Sequence, residues 1–466
     1  MVETGVDLVA DHVVIGAGAS GLAFVDALVA ADPDTDVIIV DRRHAAGGHW
    51  VDAYPFVRLH QPSASYGVNS LALGEGRIET EGVNAGFFEQ ASAAELVRYY
   101  ERVKDQLIAT GRVRFLLGHD YQGFDGRDHL VRSRVSGAAT SVRARRRFVD
   151  ATYVESVIPA RHTPSFAVDP GVRFVTPNDL VRLDTPAGGF VVLGGGKTAM
   201  DVIVWLIEQG VDPDRLQWVR PRDGWFVNRT YTQPGHLVIN MLDMHARSVE
   251  AAALATSGLD YAHRLEVHEM MFRLDSTREP EVFRGATLAR AELDILRSVE
   301  RVVRLGRVGR IRRHQIELTD GALRIDAEAI VVDCTAQGLA TRARQPIFAP
   351  GHITVQFTTL GVAPWSAAIL GFVTSLDIDD AERNRLCPAV PRTGMIADQL
   401  WVSHIGFGAE RARRDQPEFS AWAAGARLNP MGSLSRNRDD EAMAPLFARL
   451  EEFSDRARVN LARHAR

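Results

Sequence analysis

Short apolar runs that lead into glycine-rich turns recur along this chain, and they predict buried β-strands. An apolar run at residues 13–15 precedes a turn with three glycines, an Ala/Leu/Val-rich stretch to residue 31, and a second apolar run that ends at Asp41. Apolar runs of this length, bounded by turn residues, are typical of strands buried on both faces of a parallel sheet. This part of the chain therefore predicts a strand, a turn, a helix and a strand in that order.

The same order of elements returns in the middle of the chain. Residues 190–193 are apolar, and the sequence GGGKTAMD with an apolar helical pattern precedes the strand-like stretch RLQWVRPR. Residues 301–333 alternate as strands do, with a hairpin signal at residues 319–321. Residues 235–299, rich in Ala, Leu, Met, His and Glu, predict a helical insertion. That insertion either roofs a substrate site or serves packing or dimerisation.

Size and composition narrow the class of protein. A chain of 466 residues is too long for one compact core, so two or three domains are expected. The formal net charge of −5 gives no reason to expect a nucleic acid or an anionic membrane as partner. No run approaches the roughly 18 apolar residues of a membrane span. The first residues carry no signal-like region, and with only two distant cysteines, Cys334 and Cys387, a cytoplasmic protein is expected.

The glycine spacing of both turns indicates dinucleotide binding. Both match G-x-G-x-x-G or its variant with a final alanine: Gly16, Gly18, Gly21, Gly194, Gly196 and Ala199. A Walker phosphate loop would need a glycine where Val191 stands. Two glycines allow a tight turn and close approach of a pyrophosphate, and a small third residue lets the helix pack on the strand. The start of each helix then faces the phosphates.

The residue that ends the second strand of each unit distinguishes the two cofactors. Asp41 lies where an acid accepts hydrogen bonds from an adenosine ribose, which favours FAD or NAD. The corresponding position of the second unit holds Arg220, with Arg222 beside it, and arginine suits a 2′-phosphate. The first unit therefore predicts FAD and the second NADP. Lys197 is expected to add charge near the pyrophosphate of the second unit.

Two similar segments indicate how the units connect. FVDAT at residues 148–152 and VVDCTAQG at 331–338 each follow a strand and are expected to cross between domains. The predicted fold is α/β, with two Rossmann-like dinucleotide-binding domains, the NADP domain inserted into the FAD domain. The boundaries are 1–155 for the first part of the FAD domain, 156–334 for the NADP domain and 335–466 for the completion of the FAD domain.

Both glycine motifs, together with GGHW at residues 47–50 and YPFVRLHQPSASYG at 54–67, resemble the class B flavin monooxygenases. This group includes the flavin-containing, N-hydroxylating and Baeyer–Villiger enzymes. The resemblance covers essentially the whole layout. It implies an oxidoreductase that binds FAD and NADPH and transfers oxygen from O2 to a small organic substrate through a C4a-(hydro)peroxyflavin.

The chain also departs from that family. The Baeyer–Villiger fingerprint F-x-G-x-x-x-H-x-x-x-W is missing from residues 160–180, where only Phe166 fits, and His60 stands where an aspartate is usual. Oxygenation of nitrogen or sulfur is therefore favoured over Baeyer–Villiger oxidation. An NADPH-dependent flavin oxidoreductase or oxidase without oxygen transfer remains the alternative, and a redox-sensing scaffold is a third. A disulfide reductase would need a close cysteine pair that the sequence lacks.

The candidate site residues follow from the motifs and the resemblance. His60 is the candidate proton relay, because an imidazole can both take up and release a proton, and Arg229 is the candidate for holding negative charge on the flavin. A helix beginning near Pro364 would bring its N-terminus to the flavin. The expected cofactor-binding residues are Gly16, Gly18, Ala19, Ser20, Gly21, Asp41, Arg42, Gly48, His49, Trp50, His60, Gln61, Gly194, Gly196, Lys197, Thr198, Ala199, Arg220, Arg222, Ala336, Trp365 and Ser366. No metal ligand is expected, and a homodimer is left open.

Overall fold

A computed structural model describes residues 8–339, 342–437 and 439–465. In these ranges no helix is both long and apolar enough to cross a membrane. Both predicted strand–turn–helix–strand units are present, and each is built on its own parallel sheet. The predicted α/β fold class is therefore confirmed.

The first sheet combines the start of the chain with a late segment. Its central strand pairs in parallel on one side with the strand that ends at Asp41 and on the other with the long strand Ala139–Asp150. An antiparallel pair of strands is added to the long strand Ala139–Asp150. Its eight strands are Leu8–Ile15, Val37–Asp41, Val113–Leu117, His119–Phe124, His129–Ser133, Ala139–Asp150, Phe348–Ala349 and His352–Thr354.

Helices on this sheet form the larger hydrophobic core. Ala19–Ala31 packs along Ala363–Ser375, and Gly371 of the latter lies so close to Phe24 that a Cβ there would be 2.2 Å from the Phe24 carbonyl oxygen. Ala93–Ala109 packs against the same core and begins with a capping box formed by Ser92 and Glu95. Because Gly371 has no side chain, the helix Ala363–Ser375 can pack directly on the helix Ala19–Ala31.

The second sheet lies wholly between the strands of the first in sequence. It has five parallel strands in the order Val302–Val303, Leu216–Val219, Phe190–Leu193, Ile330–Asp333 and Arg173–Val175. The helices Lys197–Glu208 and Arg290–Arg297 pack on it. A four-stranded sheet covers its other face: Ala167–Val168, Val308–Arg312, Gln315–Leu318 and Gly321–Arg324. The last two strands form the hairpin predicted at residues 319–321.

The two crossing segments meet each other. Ser156–Val157 pairs antiparallel with Gly338–Leu339, so the chain leaving the first sheet runs beside the chain returning to it. Before this pairing, each segment makes the same turn. The Asp150 carboxylate accepts from the backbone N–H of Thr152 at 2.8 Å, and the Asp333 carboxylate accepts from that of Thr335 at 2.9 Å. The predicted likeness of FVDAT and VVDCT is therefore also a likeness in three dimensions.

The insertion at 235–299 contains helices, as predicted, but also strands. Its helices are Val238–Leu254, Gly258–Glu266 and Arg290–Arg297, and Met271–Arg273 and Val282–Leu288 flank Gly224–Asn228 in a three-stranded sheet. The first of these helices packs along the C-terminal helix Asp440–Ala462. The side chain of Asn460 donates to the carbonyls of Ala252 and Ala255 at 2.9 and 2.8 Å and so caps the end of Val238–Leu254. The remaining helices are Pro177–Leu180, Asp380–Leu386, Gln399–Arg414 and Pro417–Gly425.

Candidate functional site

The first glycine turn is closed by backbone contacts that only glycine permits. Gly16 has a φ of 110°, and its N–H donates to the Val40 carbonyl at 2.7 Å. A Cβ on Gly21 would lie 1.9 Å from the Gly16 carbonyl oxygen, so the helix packs directly on the turn. Gly18 caps the helix that begins at Ala19 and Ser20, and no side chain hydrogen-bonds to the first-turn N–H groups. Those groups remain able to bind an anion.

Asp41 is fixed at the end of the neighbouring strand by two backbone donors. Its carboxylate accepts from the N–H of Ala17 and from that of Arg43, both at 2.7 Å, and the residue is buried. Each oxygen keeps a second lone pair, because an ionised carboxylate has about four acceptor sites. The carboxylate therefore lies beside the glycine turn with capacity for ribose hydroxyl groups. Arg42 points away from it and pairs with Glu155 at the surface.

The GGHW segment lies against the first glycine turn. The Gly47 N–H donates to the Ala17 carbonyl at 2.8 Å, and a Cβ on Gly48 would be 2.8 Å from the Cα of Gly18. Burial, reinforced by the charge of Arg43, lowers the pKa of His49 to about 4, so its ring is neutral at pH 7. Trp50 is buried and donates to the Tyr66 hydroxyl at 3.0 Å.

The second glycine turn repeats the geometry of the first. Gly194 has a φ of 122°, and a Cβ there would be 2.5 Å from the Cys334 carbonyl oxygen. Gly196 caps the helix without any side-chain hydrogen bond, and no atom lies within 4 Å of the position its Cβ would occupy. Ala199 is fully buried, as the third small position requires, and Thr198 is half-buried in the first turn. This turn also leaves helix N–H groups uncapped.

Lys197 lies in an internal network of ion pairs. Its ammonium donates to the carboxylates of Asp201 at 2.5 Å and Glu292 at 2.8 Å. Its contact with the pyrophosphate stays a prediction. Burial alone would raise the pKa of Asp201, but the charge of Lys197 and the nearby His60 outweigh it, so this pKa lies well below its usual range. The pKa of Glu292 is lowered in the same way, against burial, by Lys197 and Arg229.

Arg229 extends this network, and its role in holding negative charge on the flavin stays a prediction. Its side chain is 1% exposed, and its guanidinium pairs with Glu292 at 2.6 Å. The same group donates to the His60 carbonyl at 3.3 Å and to the Asn84 side chain at 3.2 Å. The charge of Arg229 is therefore neutralised inside the protein, and the residue fastens the segment that carries His60.

His60 lies at the open side of this network. Its side chain is 40% exposed, and its Nε2 is 3.7 Å from Asp201 Oδ2. The Tyr54 hydroxyl donates to the same oxygen at 2.7 Å. Burial and the Asp201 charge raise the pKa of Tyr54 well above its usual value, so the phenol remains a donor. Gln61 is half-buried next to His60. The carboxylate can thus orient a histidine that reaches solvent.

The two arginines expected at the 2′-phosphate have different surroundings. Arg220 is 3% exposed, pairs with Asp223 at 2.8 Å and stacks on Trp218. Burial lowers its pKa to about 10, and its Nε is buried without a hydrogen-bond partner. Arg222 is exposed, and its backbone carbonyl would be 2.9 Å from a Cβ on Gly195. The exposed arginine at the mouth of the second glycine turn is therefore Arg222.

The remaining expected residues lie in the C-terminal third. Ala336 is half-buried in the segment that returns to the first sheet. The helix Ala363–Ser375 carries Pro364 in its first turn, as predicted. Trp365 stacks on Trp422 with ring centres 5.2 Å apart, and Ser366 is buried and hydrogen-bonded to Thr359 at 2.8 Å. Both side chains thus have partners within the core.

Sequence reasoning missed three members of the network, namely Tyr54, Asp201 and Glu292. Asp201 had a local signal, because it is four residues after Lys197 on the same helix and can form an (i, i+4) ion pair. Glu292 had none, since 95 residues separate it from Lys197. Tyr54 was part of a quoted motif, but its partner is 147 residues away.

The chain is similar to known proteins in sequence and in fold. No model of a known protein family matches the chain. The chain is 39% identical over 426 residues to uncharacterized proteins of Mycobacterium tuberculosis (strain H37Rv) and Mycobacterium bovis, covering 91% of this chain and 78% of each relative.

Two solved structures share the fold. A polycyclic ketone monooxygenase from Thermothelomyces thermophila aligns with a TM-score of 0.51 at 13% identity, covering 100% of this chain and 89% of that one. A steroid monooxygenase bound to NADP aligns with a TM-score of 0.50 at 15% identity, covering 79% of this chain and 84% of that one. The chain therefore belongs to the same family as the mycobacterial proteins, and its fold is that of the class B flavin monooxygenases.

Proposed function

We propose that this protein is an FAD- and NADPH-dependent monooxygenase that transfers one oxygen atom from O2 to a small organic substrate. The observation that carries the proposal is the pair of glycine turns, each with an uncapped helix N-terminus at the carboxyl end of a parallel sheet. Two such sites in one chain, at the edges where parallel sheets bind ligands, fit two dinucleotides. The domain boundaries 1–155, 156–334 and 335–466 belong to this proposal.

The residues of the first unit fit FAD. Gly16, Gly18 and Gly21 leave room for a pyrophosphate at the helix N-terminus, and Asp41 has free lone pairs beside them. Gly48 and His49 continue the same surface. FAD, when bound, supplies the oxidation of NADPH and the activation of O2. The protein supplies position, shielding and charge around it.

The second unit fits NADPH, with one change to the residue assignment. Arg222 is exposed beside the glycine turn, whereas Arg220 is buried in an ion pair with Asp223. We therefore assign contact with the 2′-phosphate to Arg222. Arg220 supports the second glycine turn from the interior, because its side chain would be 3.1 Å from a Cβ on Gly195. Lys197, held by two carboxylates, has a positioning role rather than a phosphate contact.

His60 is the proton carrier in this proposal. Its Nε2 lies 3.7 Å from the Asp201 carboxylate, and its side chain is 40% exposed to solvent. Tyr54 holds Asp201 in place by its 2.7 Å hydrogen bond. Arg229 and Thr287 fix the His60 carbonyl, with Thr287 donating at 2.5 Å. The chain can thus deliver or accept a proton at one defined atom.

The sequence between the two glycine motifs supports heteroatom oxygenation over Baeyer–Villiger oxidation, because F-x-G-x-x-x-H-x-x-x-W is absent from residues 160–180. Two buried cysteines without a disulfide agree with a cytoplasmic location. The alternative is an NADPH-dependent flavin oxidoreductase or oxidase that releases hydrogen peroxide without oxygen transfer.

Rapid mixing tests the proposal. The purified protein should carry one FAD per chain. Reduction with NADPH in the absence of air, followed by mixing with oxygen, should give a transient absorbance before the oxidised flavin spectrum returns, and NADP⁺ should prolong it. Nitrogen and sulfur substrates should shorten that transient and appear as oxygenated products. Direct return to oxidised flavin, with stoichiometric peroxide for every nitrogen, sulfur and ketone substrate tried, would support the oxidase alternative instead.

A further inference from the structure

Two arginines face each other where the second unit meets the C-terminal third, and neither has a carboxylate partner. Arg284 belongs to the strand Val282–Leu288, and Arg392 lies in the loop before the helix Gln399–Arg414. Among the described residues, no Asp or Glu oxygen lies within 4.0 Å of either guanidinium. Most arginines of this chain that lie near other elements do have such a partner, as Arg304 has in Asp223 and Asp275. The pair is therefore a local excess of positive charge.

Backbone pairing holds the two arginines together. The Phe283 N–H donates to the Gly394 carbonyl at 3.0 Å, and the Ile396 N–H donates to the Glu281 carbonyl at 2.8 Å. Arg392 itself donates to the Arg284 carbonyl at 2.8 Å. The main-chain hydrogen bonds thus hold the two backbone segments together, and the side chain of Arg392 reaches across to the backbone of Arg284.

Each guanidinium lies near a glycine of the other segment. Both glycines have positive φ: a Cβ on Gly285 would lie 3.8 Å from the guanidinium of Arg392, and one on Gly394 would lie 3.6 Å from Nε of Arg284. Arg392 also stacks on Phe357, 4.4 Å from the ring centre. The aromatic ring therefore holds the guanidinium of Arg392 in place, and Arg284 is the more exposed of the two.

Few donors of the pair bind protein groups in the described part of the chain, and Arg284 is the more exposed of the two arginines. Arg284 gives one hydrogen bond, to the Gln337 carbonyl at 3.1 Å, and Arg392 gives the one to the Arg284 carbonyl. Each guanidinium has five N–H groups. Burial and the neighbouring positive charge lower the pKa of Arg392, and burial and Arg222 lower that of Arg284. An anion between them would relieve this repulsion and satisfy the free donors.

We propose that Arg284 and Arg392 form an anion-binding site for a phosphate or carboxylate group at the seam between the two units. The strand that carries Arg284 also carries Thr287, which donates to the His60 carbonyl, so one strand contributes both to the arginine pair and to the candidate active site. Arg222 borders it on the side of the second glycine turn. Two sources present this chemistry: a phosphate of the dinucleotide and a carboxylate of the substrate.

Calorimetric titration at low ionic strength separates these sources in the full-length, FAD-containing protein. Adenosine 2′,5′-bisphosphate serves as the phosphate probe and hexanoate as the carboxylate probe. Arg284→Gln and Arg392→Gln should each weaken binding of at least one probe by about five- to tenfold, since a charge-assisted hydrogen bond is lost. Arg313→Gln, which removes an exposed arginine from a turn of the four-stranded sheet, should leave both affinities unchanged.

The pattern of losses identifies the ligand. A loss confined to the bisphosphate assigns the site to the dinucleotide, and a loss confined to hexanoate assigns it to a substrate carboxylate. Unchanged affinity for both probes in both variants overturns the site and leaves the arginines a packing role. Arg284→Lys and Arg392→Lys keep the charge and should retain most of the binding if either glutamine variant fails to fold. The titration measures binding alone, so a failed oxygenation assay would not affect its result.

Discussion

The hydroxyl of Tyr54 donates a 2.7 Å hydrogen bond to the carboxylate of Asp201, and this bond joins the two dinucleotide units. Tyr54 belongs to the segment that follows GGHW, and Asp201 lies on the helix that begins at the second glycine turn. The same carboxylate binds Lys197 and faces His60. One buried acid therefore links the candidate proton carrier to the helix that would hold the pyrophosphate of NADPH.

Removing this bond should destabilise the protein measurably. Tyr54→Phe leaves a buried acceptor without its donor, and we expect the free energy of unfolding to fall by about 1–3 kcal/mol in urea titrations. A double-mutant cycle with Asp201→Asn should show a coupling of at least about 0.5 kcal/mol, because the two groups are in contact. Tyr231→Phe, which removes a more exposed hydrogen bond to the His268 carbonyl, serves as control and should cost less. Additive effects of the Tyr54 and Asp201 variants would contradict the coupling.

Lys197 should be needed for folding stability more than for binding NADPH. Lys197→Met leaves Asp201 without its closest cation, while Glu292 keeps Arg229, and we expect a loss of about 3–5 kcal/mol. The pKa values of Asp201 and Glu292 are lowered in the folded protein. Their stabilisation is therefore fully present above their unfolded pKa values, near pH 4, and disappears as the pH falls through the folded values below that.

In Lys197→Met the pH dependence should change sign at Asp201, because this carboxylate loses its ammonium partner and keeps the negative charge of Glu292 nearby, whereas Glu292 still pairs with Arg229. The unfolding free energy of the variant should then rise as the pH falls from 7 to 5, where that of the wild type stays level with respect to these groups. Urea titrations across this range measure the difference. A variant as stable as the wild type, with much weaker NADPH binding, would instead support the original expectation of a phosphate contact.

How far the sequence predicts this molecule depends on how local each determinant is. The strand Phe190–Leu193, the glycine turn and the helix Lys197–Glu208 follow from a contiguous pattern, and so they were predicted. The strands Met271–Arg273 and Val282–Leu288 were missed inside the helical insertion. They are short and carry charged or glycine residues, and their strand conformation depends on pairing with Gly224–Asn228.

In the candidate site, too, only the features that depend on local sequence could be predicted. The glycine spacing predicts where a phosphate can lie, because the required backbone conformation is local. The contacts of long charged side chains depend on which distant element packs against them. Lys197 meets Glu292 only because the helix Arg290–Arg297 packs on the helix that Lys197 begins. Arg220 was expected at the 2′-phosphate, and its contacts with Asp223 and Trp218 in the interior cannot be read from the local pattern.

Stability should fall in mild acid because of His12. Burial, reinforced by the charge of Arg146, lowers the pKa of His12 to about 4, and its ring bonds to Thr35 at 3.1 Å. The unfolded chain binds this proton near pH 6.5, so stability is fully present above that pH and is lost as the pH falls towards 4, by roughly 1.4 kcal/mol per unit. His12→Asn should flatten this slope in urea titrations at fixed FAD concentration. An unchanged slope would show that His12 does not contribute to it.

The cysteines should be dispensable for flavin reduction. Burial raises the pKa of Cys334 well above its usual value and that of Cys387 to about 12, so neither is a thiolate at neutral pH. The double variant Cys334→Ser, Cys387→Ser should therefore reduce its flavin with NADPH at a rate within a few-fold of the wild type. A lower stability is expected, because both hydroxyl groups enter apolar surroundings. Loss of reduction with FAD still bound would point to thiol chemistry.

Substitution of Arg222 should change the choice of coenzyme, whereas substitution of Arg220 should mainly change stability. Arg222 is exposed beside the second glycine turn, so Arg222→Ala should weaken NADPH binding about tenfold or more and leave NADH binding unchanged. Arg220 is buried against Asp223, so Arg220→Ala should mainly lower the unfolding free energy, by about 3 kcal/mol or more, since it leaves a buried acid whose remaining partner is Arg304. Flavin reduction at equal low concentrations of NADPH and NADH measures the first effect, and urea titration measures the second. If Arg220→Ala abolishes the preference for NADPH while the protein stays stable, and Arg222→Ala does not alter that preference, the 2′-phosphate contact belongs to Arg220 as the sequence first suggested.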